Sequence, residues 1–105
     1  MIQASLLYPN TEGSHFDFEY WQNSHLPWLT KILSPALQHI SGVKGLSGGE
    51  PGSRPPYVAI GALQFESLDA MQAAYMPHME AIFDDIKNFT DITPVLMLGE
   101  VVGPR

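Results

Sequence analysis

Apolar residues recur at two different spacings along the chain, and the changes of spacing divide it into six elements. Residues 2–8, IQASLLY, form a short apolar run closed by PNTEG, which predicts a strand. From Phe18 the interval lengthens: Phe18, Trp21, His25, Leu29 and Ile32 share one face of a helix. Asp17 is a good N-cap for it, because its carboxylate can accept a free first-turn N–H. Phe16 before the cap and Trp21 after it have the spacing of a hydrophobic staple. The helix is expected to end near His39, where a protonated ring would meet the helix dipole favourably.

A second strand is expected from residues 41–46. SGGEPGSRPP, residues 47–56, has three Gly and three Pro and reads as a loop. It lacks the Gly-Lys-Ser/Thr ending of a phosphate-binding loop. YVAIGALQF, 57–65, is a third strand. Ser67 caps a second helix with an apolar face of Leu68, Met71, Tyr75, Met79, Ile82, Phe83 and Ile86, and Pro77 interrupts it. PVLMLGEVV, 94–102, is the last strand.

The order β-α-β-β-α-β predicts an α+β, ferredoxin-like fold: one domain over residues 1–105, with a four-stranded antiparallel sheet and both helices on one face. VAIGALQF and VLMLGEVV are apolar on both parities, whereas a sheet with one wet face should alternate. The expected cover for the second face is a second copy, giving a homodimer with packed sheets, a dimeric α/β barrel.

Composition narrows the partners. The 105 residues carry a formal charge of −6 and only five basic side chains, scattered along the chain, which argues against nucleic acid or an anionic membrane. There is no cysteine, so disulfides, thiolate nucleophiles and thiolate metal sites are excluded. No apolar run approaches the roughly 20 residues of a membrane span, and the start does not read as a signal peptide. The expectation is a cytoplasmic protein.

The chemistry centres on NSHLPWL, residues 23–29. Pro27 cannot donate to the carbonyl of Asn23, so the helix should kink or restart beside His25. A neutral imidazole there can donate through one nitrogen and accept through the other, and so serve as an acid/base. Tyr20 is a candidate orienting group. Trp21, Trp28, Tyr75 and His78 are candidate ligand-binding residues, suited to a small apolar or aromatic molecule. The plainer reading of His25 is a core histidine bonded to a backbone carbonyl. Histidines 15, 25, 39 and 78 include no pair at the spacing that clamps a metal on a helix. Adjacent Asp84 and Asp85 read as a solvated face. Asn88, Thr90 and Asp91 read as side-chain turns before the last strand.

FDFEYWQNSHLPWL resembles the helix signature of the EthD family, roughly Phe-Asp-x-x-Tyr-Tyr-x-x-x-His-x-Pro-Leu. LYPNTEG, PYVAIGALQFESLDAMQAAY and NFTDITPVLMLGEV are similar to it as well. The resemblance implies membership of the dimeric α/β-barrel group, which includes cofactor-independent monooxygenases, polyketide cyclases, muconolactone isomerases and haem-degrading enzymes. The family takes its name from a member tied to degradation of ethyl tert-butyl ether. His25 and Pro27 stand at the signature positions, and Tyr20 is the first of its paired aromatics. Trp21 replaces the second tyrosine, and Trp28 a smaller apolar residue. The implied function is a small enzyme without a bound cofactor, of isomerase, cyclase, dehydratase or monooxygenase type. The alternatives are a ligand-binding accessory module of an oxygenase system and a haem-handling barrel using His78.

Overall fold

A computed structural model describes residues 1–104. Strand β1 (Ile2–Pro9) leads into the first helical rod, formed by α1 (Phe18–Tyr20), a π segment (Trp21–His25) and α2 (Leu26–Leu33). Strands β2 (Leu37–Lys44) and β3 (Tyr57–Phe65) follow. The second rod comprises α3 (Leu68–Tyr75), a 3₁₀ turn (Met76–His78) and α4 (Met79–Ile86), and β4 (Val95–Glu100) closes the order. All pairings are antiparallel, in the order β2-β3-β1-β4.

The expected ferredoxin-like arrangement is present, but the expected barrel is not. The sheet is open, with β2 and β4 as its two edges. β2 pairs only with β3 and β4 only with β1, so the two edges of this sheet do not meet.

Local signals fix both rods. The Asp17 carboxylate accepts from the Tyr20 N–H, and the Ser67 hydroxyl accepts from the Ala70 N–H, as their capping positions predict. Phe16 and Trp21 meet edge to face at 5.2 Å. Trp21, His25, Leu29 and Leu33 are all buried. They stand four residues apart, and each such step overruns a 3.6-residue turn, so a plain α-helix would carry them gradually off the core. The π segment absorbs this drift with a wider turn, in which the Leu26 N–H donates to the Trp21 carbonyl five residues back. Pro27, which has no N–H, then sits in the first turn of α2.

Two boundaries differ from the sequence expectation. The first rod ends at Leu33, and His39 lies in β2 rather than at a helix end. Pro35 is the cause: Ser34 before it is extended, with ψ at 149°, because a residue preceding proline is crowded out of the helical region. β2 therefore starts at Leu37, four residues before the expected start at 41, with its register shifted between Leu37 and His39.

The core lies between the sheet and the rods. Ala4, Leu6 and Tyr8 of β1 and Ala59, Leu63 and Phe65 of β3 face Trp21, Leu29, Leu33, Met71, Ile82, Ile86 and Phe89. Gly42 admits Trp21 beside β2: a Cβ there would sit 2.8 Å from side-chain carbons of both Trp21 and Leu26. The opposite sheet face is mixed. A central row is polar, with Gln64 donating to Gln3 and Gln3 to Ser5, each at 2.9 Å. Around it Val43, Val95 and Met97 are each more than half exposed.

Candidate functional site

The two rods meet where the start of the first crosses the end of the second. The Asp17 N–H donates to the Phe89 carbonyl at 2.7 Å, and Phe16 pairs with Thr90 in an isolated bridge. The Thr90 hydroxyl donates to the His15 carbonyl at 2.6 Å. These bonds clamp the first turns of one rod onto the last turn of the other, and the polar side chains they bring together are Tyr20, His25, Asp85 and Asn88.

His25 is 1% exposed. Its Nδ1 lies 2.7 Å from Asp85 Oδ2. The other carboxylate oxygen of Asp85 accepts from the Tyr20 hydroxyl at 2.7 Å and from the Asn88 amide at 3.0 Å. The His25 ring packs against Phe89 at 4.7 Å and Trp28 at 6.0 Å, while Tyr20 stacks on Phe89 at 6.2 Å. One carboxylate thus organises two aromatic side chains of the opposite rod.

Electrostatics sets the protonation states. Burial draws the His25 pKa below its ordinary value, outweighing the upward pull of Asp85. Partial burial acts to raise Asp85, but the bonds from His25, Tyr20 and Asn88 outweigh it and hold the carboxyl below the usual range. An ionised carboxylate only accepts, so Nδ1 carries the proton of a neutral imidazole and Nε2 is left as an acceptor. Nε2 has no hydrogen-bond partner among the described residues. The bond to Asp85 raises the Tyr20 phenol, which stays protonated.

The partner of His25 is therefore a carboxylate, and the expectation of a solvated Asp84–Asp85 face fails at Asp85, whose side chain is only 19% exposed. Adjacent helix residues point about 100° apart. Asp84 takes the outward direction, 68% exposed and 3.8 Å from the Lys87 ammonium, and Asp85 the inward one. The sequence held one usable signal: Asp85 and Asn88 are spaced i, i+3 at a helix end. Thr90 makes the expected side-chain turn, accepting from the Ile92 N–H, while Asp91 accepts from the His15 N–H.

The other sequence candidates are dispersed. Trp28 stands beside His25. Trp21 is buried in the core against Gly42 and Tyr8. Tyr75 lines an apolar groove of about 180 Å³ between α3 and the β1–β4 edge, with Leu6, Met71, Met79, Leu96 and Leu98. His78 faces a separate cleft, beside Pro35 and Pro77. No group of three or more His, Cys, Asp or Glu that could hold a metal occurs among the described residues. Among them, no helix is long and apolar enough to cross a membrane.

Comparison with known proteins assigns the ancestry. The EthD domain model matches residues 13–93. An EthD-like protein from Ralstonia eutropha JMP134 is 38% identical, with a TM-score of 0.92 over 99% of this chain and 94% of that one. Two further solved structures share the fold at lower identity. An ethyl tert-butyl ether D (EthD) family protein from Bacillus halodurans C-125 is 22% identical, with a TM-score of 0.74 over 97% of this chain and 99% of that one. HapK from Hahella chejuensis is 14% identical, with a TM-score of 0.62 over 100% of this chain and 96% of that one. No curated protein matches the sequence. The family match covers most of the chain and includes the whole His25–Asp85 couple: the chain belongs to the EthD family.

Proposed function

We propose that this EthD-family protein binds a small apolar or aromatic molecule carrying an oxygen, and transfers a proton on it through His25 without a bound cofactor. The observation that carries the reading is the 2.7 Å contact between His25 Nδ1 and Asp85. Asp85 fixes the ring's tautomer and faces the positive charge that forms when Nε2 accepts a proton. Returning that proton to another atom of the same ligand is an isomerisation or a cyclisation, and it needs no oxidant. Tyr20 acts through Asp85, since its hydroxyl proton is committed to the carboxylate. Trp28 supplies aromatic surface beside the ring. Proton abstraction that prepares a ligand for oxygenation belongs to the same reading.

One observation favours a non-catalytic alternative: His25 is 1% exposed and is not among the residues lining the apolar groove. On that alternative the couple only clamps the rods, and the groove holds a ligand for a partner oxygenase. Deuterium uptake from D₂O into small ketones, phenols and aryl ethers, followed by proton NMR, separates the two. Proton transfer predicts uptake by the native protein and none by His25→Gln, with binding retained. Equal uptake by both proteins contradicts the catalytic role.

We also propose a homodimer through the open sheet faces. The exposed Val43, Val95 and Met97 give the apolar contact, and the Gln3–Ser5–Gln64 row gives polar register. Light scattering at micromolar concentration should return twice the chain mass of 11.6 kDa. A single chain mass contradicts it.

A further inference from the structure

A cleft of about 430 Å³ lies where the first rod overhangs the β2 edge, lined by Phe18, Trp21, Gln22, Leu26, Gly42 and Lys44. It shares no residue with the His25–Asp85 couple or with the groove beside Tyr75. Phe18, Gln22 and Leu26 stand four residues apart along the rod and form one wall. Gly42 leaves the floor to Trp21 and Leu26, since a Cβ there would meet both at 2.8 Å. The strand wall carries free polar groups. The Gly45 N–H donates inward to the Val58 carbonyl at 2.8 Å, and the ladder alternates from there. The N–H groups of Gly42 and Lys44 therefore point outward from the edge.

Lys44 supplies the charge. Its ammonium lies over the Phe18 ring, 4.6 Å from the centroid. That ring is itself fixed by Phe16 at 4.5 Å and Trp21 at 6.2 Å, so the ammonium is held in place before anything binds. The ion pairs among the described residues use His15, His25 and Lys87, and none uses Lys44. An ordinary edge lysine projects into water and keeps foreign strands from pairing. This one is drawn back over a ring at a cleft. A chain of formal charge −6 repels carboxylates in general, so a site for one has to be built locally. This cleft has an ammonium, an amide and edge N–H groups, aromatic and aliphatic surface beside them, and no acidic side chain in its lining.

We propose that the cleft between the first rod and the β2 edge binds an aromatic carboxylate. The Lys44 ammonium neutralises the carboxylate, the Gln22 amide and the outward N–H groups of β2 donate to its oxygens, and the ring rests on Trp21 and Leu26. The volume gives room for one or two rings, since an apolar cavity of about 150 Å³ accommodates benzene. Binding here needs neither proton transfer at His25 nor a ligand in the apolar groove, so it stands or falls apart from both.

The test compares 1-naphthoate with its neutral counterpart 1-naphthamide, by ¹H–¹⁵N correlation spectra of the full chain at pH 7. Naphthoate should shift the amides of Gln22, Gly42 and Lys44 and the Trp21 indole N–H, and leave Tyr75 and Met79 in place. It should bind about fivefold more tightly than naphthamide at low salt, the upper range for one exposed ion pair. Raising the salt to about 0.5 M should bring the two affinities together. Lys44→Gln keeps the length and polarity of an exposed side chain. It should remove the preference and leave naphthamide binding unchanged. Lys31 is also exposed and makes no ion pair among the described residues, and Lys31→Gln should keep the preference. A preference that survives Lys44→Gln overturns the proposal, as does an equal loss in Lys31→Gln, which would report net charge alone. Shifts centred on the apolar groove, or no binding of naphthoate at millimolar concentration, overturn it as well.

Discussion

Each helical rod carries a histidine beside a proline, and the two are treated in opposite ways. In the first rod the turn before Pro27 widens into a π segment, and His25 is buried against Asp85. In the second the chain tightens into a 3₁₀ turn at Pro77, leaving Met76 58% exposed and His78 half-buried with no charged partner among the described residues. Proline excludes the ordinary α pattern in both places, and the spacing of the neighbouring apolar residues decides how the helix responds. The run Trp21, His25, Leu29, Leu33 rewards one extra residue per turn. Met71, Tyr75 and Met79 have the same four-residue spacing, but it does not continue: Ile82 and Ile86 take over the buried face, Met79 is exposed, and no extra residue is needed. A histidine next to a proline is therefore no marker of a site by itself. What distinguishes His25 is a widened turn together with a carboxylate from the other rod.

The comparison breaks most severely if the register of the first rod is shifted. Inserting one alanine between Trp28 and Leu29 should turn the two halves of the first rod about 100° against each other. Either Trp21 or the pair Leu29 and Leu33 then leaves the core, at about 2–5 kcal/mol for each large side chain. Urea denaturation should show a loss of at least that size, and a near-native midpoint would mean that the rod's register is not what holds these side chains in the core. Next in size is Asp85→Ala, which strands the His25 N–H and the Tyr20 hydroxyl. It should cost about 1–3 kcal/mol by the same measurement. His78→Ala, its counterpart on the second rod, should stay within about 0.5 kcal/mol. Equal effects from the two would erase the distinction between the rods.

These contrasts were only partly visible in the sequence. The caps at Asp17 and Ser67, the staple of Phe16 and Trp21, the order of elements and the interruption at Pro77 all follow from local spacing, and the structure has them. Pro35 was legible as a helix stop, yet an apparent continuation toward His39 concealed it. His25 stood out because an ionisable ring in an apolar stripe is conspicuous. Asp85 did not, because an acidic pair on a helix usually faces water, and only the packing of the rods turns one of them inward. Closure of the sheet was not a local property either: apolar strands indicate that a face can be covered, not that edges meet.

Smaller effects sharpen the comparison further. His25 is neutral in the fold with a lowered pKa, whereas the unfolded chain titrates near the ordinary value of 6.5. Below that value the unfolded state binds more protons, so this group's contribution is complete above about pH 6.5 and is lost as pH falls toward the folded pKa. Asp85, also lowered, adds a loss at more acidic pH, below its ordinary 3.8. Melting curves between pH 7.5 and 5 should fall more steeply for the native protein than for His25→Gln, and parallel curves would contradict a buried neutral ring. The smallest change is expected for Pro77→Ala. Met76 beside it is solvent-facing, so a shift within about 1 kcal/mol is expected, in either direction. A larger loss would mean that the 3₁₀ turn is as demanding as the π segment.

The protonation of His25 tests the central claim most directly. Two-bond ¹H–¹⁵N correlation spectra of the ¹⁵N-labelled native protein at pH 7 read each ring nitrogen separately. The predicted result is a neutral ring protonated at Nδ1 with a bare Nε2, and a disturbed Nδ1 signal in Asp85→Asn. A ring protonated at Nε2, or charged at both nitrogens, would contradict the couple as described.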